Sequence, residues 1–150
     1  MQNIKLLSVM LLPLVGIFII DQNIKSIFLD GYRYYGDCID LTLVFNKGVA
    51  FSMLSFLEDK LKYIQLVLVV GVAAYIFLLK NLCYGFGGGL LLGGAFSNIY
   101  DRFIHGGVVD MVYWHCWFDF AVFNFADVVI DIAVGIFLLL QLRPSLCKAN

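Results

Sequence analysis

Four long apolar stretches, at roughly 5–21, 62–80, 82–100 and 123–142, constrain any fold this chain can adopt. A helix needs about 20 residues to cross about 30 Å of hydrocarbon. Inside lipid every backbone N–H and C=O has to be satisfied within the segment, which a helix does. Lys or Arg at the edges can snorkel to the interface and extend a shorter run. With 62% hydrophobic and 14% charged residues in 150, a soluble fold would leave its surface largely apolar. The expectation is an all-α membrane protein: one integral-membrane domain over residues 1–150, with four transmembrane helices.

The first stretch, Leu6 to Ile20, is uncharged, starts beside Lys5, contains Pro13 and is closed by Asp21. A cleaved secretory signal is the alternative, since MQNIK resembles a charged leader, but no small-x-small site precedes Asp21 and an uncleaved anchor is expected. The second, Tyr63 to Leu79, lies between Lys60, Lys62 and Lys80. The third, Asn81 to Tyr100, places Gly85, Gly89, Gly93 and Ser97 four apart on one helix face. Such a ladder either lets another helix approach closely or forms part of a lateral entrance. Its GFGGGLLLGG run lacks the Lys-Ser/Thr of a phosphate loop. The fourth, Phe123 to Leu142, carries Asp127 and Asp131. A carboxylate in the membrane costs at least about 2.5 kcal/mol and is kept mainly where it faces a cavity or a partner.

Between the first two stretches, Asp40 to Asn46 is rich in strand-favouring residues, which predicts a small extramembrane β-sheet. Between the last two, Asp101 to Val122 reads as an interfacial loop bearing Tyr113, Trp114, Trp117 and Phe118. Two crossings separate these segments, so both emerge on one side. All 11 acids fall between Asp21 and Asp131. Lys5, Lys80, Arg143 and Lys148 on the side of the termini stand against Lys25, Arg33, Lys47, Lys60, Lys62 and Arg102 on the other, four against six. By the positive-inside rule that count puts the termini outside. No basic stripe points to nucleic acid. The 4 cysteines form no CxxC, and His105 and His115 stand in no HExxH, so no metal, no cofactor and no disulfide framework is expected. Cys38 and Cys116 either pair on an oxidising side or serve as small hydrophobes.

The same alternation of crossings brings Asp21, Lys25, Asn46, Asn98, Asp101, Arg102, Asp110, Asn124 and Asp127 to one end. Two close carboxylates share a proton, which leaves one base to activate water and one acid to protonate a leaving group. A carboxylate opening a helix is favoured as an anion by the free amides, which makes Asp127 the readier member to ionise. Structural readings stand beside this one: Asp101 and Arg102 as an interfacial ion pair, Asn98 and Asn124 as interhelical hydrogen-bonding residues, and Asp110 as a solvated loop acid.

These residues resemble the motif set of the prolipoprotein signal peptidases, or signal peptidase II. Asp21 and Lys25 resemble the family's Asp and Lys at the end of the first helix, and Asn46-Lys-Gly48-Val-Ala50-Phe51 its Asn-x-Gly-x-Ala-Phe segment. Gly93-Gly94-Ala95-Phe-Ser-Asn98-Ile-Tyr-Asp101-Arg102 is similar to Gly-Gly-Ala-x-x-Asn-x-x-Asp-Arg. Val108-Val109-Asp110 and Phe123-Asn124-Phe-Ala126-Asp127 resemble the segments carrying the two catalytic aspartates. The resemblance implies a metal-free aspartic endopeptidase, with Asp110 and Asp127 as the dyad. It would cleave diacylglyceryl-modified prolipoproteins just before the lipidated cysteine. It further implies that Asn46, Asn98, Arg102 and Asn124 hold substrate and dyad, and that Asp21, Lys25 and Asp101 support the site. The chain would be a monomer in the bacterial cytoplasmic membrane, in contact with lipid, with both termini cytoplasmic and the site near the outer face. That orientation opposes the charge count. The aromatic stretch Tyr113 to Phe118 would be a lid or an interfacial anchor.

Three positions depart from the family pattern: Val128 follows the second aspartate, Ser97 precedes Asn98, and Asp131 adds a carboxylate one turn below Asp127. Asp131 either raises the dyad's proton affinity by like-charge repulsion or is protonated and hydrogen-bonded without a catalytic part. Two other classes fit the residues less fully: a proton- or ion-coupled carrier using Asp127 and Asp131 as a relay, and a binding-only adaptor for lipidated clients.

Overall fold

The structure, a computed structural model, describes residues 2–48 and 59–147. Val49 to Phe51 of the Asn-x-Gly-x-Ala-Phe segment, and Lys148, lie outside the described residues. The element order is α1 (Gln2–Leu29), β1 (Tyr34–Tyr35), β2 (Ile39–Asn46), α2 (Asp59–Leu78), α3 (Cys83–His105), β3 (Val108–Trp114) and α4 (Phe125–Leu142), closed by a 3-10 turn, Pro144–Cys147.

The first helix does not stop at Asp21. It runs two further turns to Leu29, because Asp21 and Lys25, four apart on one face, pair at 2.5 Å inside the protein and have no need of solvent. Asn3–Leu29, Lys60–Leu78 and Phe125–Leu142 are long and apolar enough to cross a membrane. Their outer faces carry exposed side chains such as Leu12, Val67 and Leu138, at 76%, 71% and 55% exposure, as lipid-facing helices do. The fourth expected span falls in α3, which has 23 residues but owes so much of its length to glycine that it is less apolar than the other three.

Glycine fits α3 because that helix is the hub on which α1, α2 and α4 pack. A Cβ at Gly93 would stand 2.7 Å from the Leu14 carbonyl of α1, and one at Gly94 would stand 2.8 Å from the Ala126 carbonyl of α4. A Cβ at Gly88 would press on Ile76 of α2, and one at Gly89 would overlap the Met10 backbone. The Gly85, Gly89, Gly93 ladder therefore packs against α1 and does not line an entrance. Leu6, Met10, Val69, Ile76, Leu92 and Ile99 fill the bundle core around it.

The three strands form one antiparallel sheet in the order β1-β2-β3, so the two connecting segments do meet on one side. The expected sheet is larger than its sequence signal, since Val108–Trp114, read as loop, is its third strand. Gly106, at φ 71°, ends α3 in the left-handed conformation and turns the chain into β3. Alternation along β3 sends Val109 and Met111 onto Phe28 at the end of α1 and leaves Asp110 on the opposite face. An irregularity between Leu41 and Val44 sets the register so that Asn46 pairs with Val108, diagonal to Asp110. Beyond β3 the chain folds back, and Phe123 exchanges backbone hydrogen bonds with Val112 at 2.9 and 3.0 Å.

Of the two readings left open for Cys38 and Cys116 the paired one holds, at the open end of the β2–β3 ladder, and a second disulfide that was not expected, Cys83–Cys147, joins the start of α3 to the final turn. Their partners lie 78 and 64 residues apart, a separation that spacing alone cannot pair.

Gly93→Ala should lower stability by about 1–3 kcal/mol, because backbone lies where the new methyl would go. Gly16→Ala and Gly71→Ala, with nothing within 4 Å, should leave it unchanged or raise it by up to about 1 kcal/mol. Thermal unfolding in detergent distinguishes these outcomes.

Candidate active site

Lys25 is 1% exposed, and its ammonium donates in three directions: to Asp21 at 2.5 Å, to Asp101 at 2.7 Å and to the Asn98 side-chain oxygen at 2.9 Å. Three donors meet three acceptors, which is what makes a buried cation tolerable. Each acceptor then grips another element. Asp21 accepts the Ala126 N–H of α4 at 2.9 Å and the Ser97 hydroxyl at 2.7 Å. Asp101 accepts the Val109 N–H of β3 at 3.1 Å and the Gln22 amide at 2.7 Å.

Asn98 donates its amide to Asp127 at 2.8 Å. Asp127 sits at the third position of α4 in a capping box: its N–H donates to the Asn124 side chain at 2.9 Å, and its carboxylate accepts the Asn124 N–H at 3.1 Å. The Asn124 amide donates to Asp110 at 2.7 Å and to Asn98 at 3.1 Å. Asn46 donates to the other oxygen of Asp110 at 3.1 Å. One asparagine thus holds both aspartates, and its fixed orientation follows from its place as helix cap. Burial raises the Asp110 carboxyl from 3.8 to about 7, and the charge of Asp127 adds to this. The Asn46 and Asn124 amides and Lys25 pull the other way.

All nine side chains selected from the sequence come together, though two of the three structural readings fail. Asp110 is no solvated loop acid, being 2% exposed in a strand. Asp101 pairs with Lys25 and not with Arg102. The Arg102 guanidinium donates instead to the carbonyls of Asn46, at 3.3 Å, and Gly48. Asn98 and Asn124 do bond across helices, as part of the same network. Asp110 and Asp127 open on a cavity of about 660 Å3 that also receives Asn46, Asn98 and Arg102. No residue of the aromatic stretch Tyr113 to Phe118 lines this cavity, and Trp117 is 84% exposed; Phe120 and Phe123, beyond that stretch, wall it instead.

The sequence profile described as Signal peptidase (SPase) II matches residues 14–143. The chain belongs to the signal peptidase II family. It is 69% identical to the lipoprotein signal peptidase of Sulfurimonas denitrificans over 147 residues, 98% of this chain and 96% of that one. Over 139 residues it is 52% identical to that of Helicobacter pylori strain P12, covering 87% of each. A bacterial membrane enzyme solved in meso at 2.3 Å resolution superposes with a TM-score of 0.78 at 26% identity, covering 93% of this chain and 90% of that one. A second, at 1.9 Å resolution, gives 0.74 at 26% identity over 88% and 91%.

Against that family pattern, Ser97 is part of the network: it is fully buried, donates to Asp21 and accepts from Gln22 at 2.9 Å. Gln22 and Gln65 were missed from the sequence. Gln22 lies beside Asp21 and was hidden by it, whereas Gln65 carried a usable signal as a lone amide within an apolar span. Asp131 lines the cavity and has no hydrogen-bond partner among the described residues, so the hydrogen-bonded reading of it is not supported.

Lys25→Met should cost about 3–5 kcal/mol, since it leaves two buried carboxylates without their cation. Lys5→Met, at an exposed position, should change stability by less than about 0.5 kcal/mol in the same unfolding measurement.

Proposed function

We propose that this chain is an aspartic endopeptidase of the bacterial cytoplasmic membrane that removes the signal peptide from diacylglyceryl-modified prolipoproteins, cleaving just before the lipidated cysteine. The observation that carries this reading is the pair Asp110 and Asp127, held by one asparagine and opening on one cavity, in a signal peptidase II chain.

In the proposed reaction the ionised member of the dyad takes a proton from water as the water oxygen bonds to the scissile carbonyl carbon. The protonated member hydrogen-bonds the carbonyl oxygen. Collapse of the tetrahedral adduct breaks the C–N bond, and a dyad proton passes to the departing nitrogen. The products are a carboxyl at the end of the signal peptide and a free amino group on the lipidated cysteine. Asp127, which accepts a backbone N–H at the amino end of α4, suits the ionised role, and Asp110, raised by burial to about 7, suits the protonated one. Arg102, whose Nε is buried without a partner among the described residues, and Asn46 are placed to hold the substrate backbone. Asp21, Lys25 and Asp101 set the positions of Asn98, β3 and α4 and do not touch the substrate.

The helices α2 and α4 each pack chiefly on α3, and both contribute side chains to the cavity. The gap between them is the route by which a signal peptide arrives sideways from the bilayer while its acyl chains remain in lipid. In this reading α3 is the fourth span, the chain acts as a monomer without metal or cofactor, and both termini are cytoplasmic. The charge count no longer opposes that orientation. Lys25 and Arg102 are consumed inside the protein at 1% and 6% exposure. Without them, Arg33, Lys47, Lys60 and Lys62 stand against Lys5, Lys80, Arg143 and Lys148, four on each side.

The test is cleavage of a synthetic diacylated prolipoprotein by the purified protein in detergent. Asp110→Asn and Asp127→Asn should each lower kcat at least about 100-fold without loss of the folded state, and a chelator should have no effect. Full activity in either variant would remove that residue from the dyad. For pH, the folded-state value of Asp110 lies above its ordinary one, so its proton is present below about 7 and lost above it. Cleavage should therefore decline as pH rises through about 7, in a profile of kcat/KM.

A further inference from the structure

Two polar side chains of the cavity have no part in the reaction above. Gln65 projects from α2, inside the apolar span Lys60–Leu78, and its Oε1 is buried without a hydrogen-bond partner among the described residues. Asp131 projects into the same cavity from α4, also without a partner among the described residues. A buried amide oxygen left unpaired is rare and calls for an explanation, and an acid within a membrane helix is kept mainly where something meets it. These two residues reach the cavity from the two helices that border the lateral gap, and Val128 and Ile130 make the surrounding wall apolar. What they select is a hydrogen-bond donor carried on an otherwise apolar ligand.

Depth identifies which part of the ligand this is. Asp131 lies four residues along α4 from Asp127, about 6 Å at 1.5 Å per residue. An extended peptide advances about 3.3 Å per residue. A chain whose scissile bond sits at Asp127 therefore presents the second residue of its membrane-embedded side at Asp131. That side is the signal peptide, which the endopeptidase reading brings in from the bilayer. Acyl ester groups offer no donor, whereas a serine or threonine hydroxyl offers one to these two acceptors.

We propose that Gln65 and Asp131 form a hydroxyl-recognising subsite for the second residue on the signal-peptide side of the cleaved bond, favouring serine or threonine over alanine. This rests on the endopeptidase reading, which the test keeps separable.

Two diacylglyceryl-modified signal peptides, alike except for serine or alanine at that position, are compared with the full chain in detergent. Cleavage uses the natural peptides, and binding uses versions with an N-methylated scissile bond. The expected result for wild type is about three- to tenfold tighter binding and lower KM for the serine peptide, with similar kcat, the value of one net hydrogen bond. Gln65→Leu and Asp131→Ala should each bring the serine peptide to the level of the alanine one, whose binding stays unchanged. Asp131→Asn, which keeps an acceptor, should retain the preference. Equal binding of the two peptides by wild type overturns the subsite, and that comparison needs no variant to fold. A preference that survives in folded Gln65→Leu and Asp131→Ala also overturns it. Discrimination in binding without cleavage of either peptide removes the peptidase reading and leaves the subsite standing.

Discussion

A single ammonium group, that of Lys25, is bonded to Asp21, Asp101 and Asn98 out of reach of water. Through these three acceptors it fixes the start of α4, the start of β3 and the amide that meets Asp127. Helices in lipid have little hydrophobic reason to choose one partner or rotation over another, because the surrounding chains are as apolar as their own side chains. A buried charge supplies the missing preference: it is costly in every arrangement except the one that gives it all its partners. The network therefore selects the relative depth of α1, α3 and α4, and the two aspartates inherit their placement from it.

Close packing about α3 makes the network possible. Hydrogen bonds from α1 to α3 and from α3 to α4 need helix backbones that nearly touch. Gly93 faces the Leu14 carbonyl on one side, and Gly94 faces the Ala126 carbonyl on another. Where the glycines end, Ser97, Asn98, Asp101 and Arg102 begin, so one helix is a packing surface over most of its length and a polar platform at its end. The sheet completes the arrangement. β3 turns Val109 and Met111 onto α1 and presents Asp110 to the cavity, and Asn46 reaches it from the neighbouring strand.

The two aspartates sit in unlike surroundings despite sharing Asn124. Asp127 is tied into a helix cap, whereas Asp110 stands in a strand and accepts only side-chain amides. Further from the sheet the cavity turns apolar except at Gln65 and Asp131, so its wall changes character along the direction a membrane-borne peptide would follow.

The sequence by itself determined the membrane class, the position of each apolar stretch, the strand at Ile39–Asn46 and the nine polar residues that converge, because hydropathy and short motifs are local properties. It misjudged the end of α1 because a charge ends a span only if it must reach water, and whether Lys25 must do so depends on residues some 75 positions away. It took Val108–Trp114 for a loop because pairing with β2 depends on a partner distant in the chain. Only the tertiary structure decided that Arg102 holds backbone carbonyls and not Asp101, that the glycine ladder meets α1, that the cysteines pair, and that Gln65 faces Asp131's cavity. Each of those is a contact between segments far apart in sequence, and its energy exists only once packing has brought both sides together.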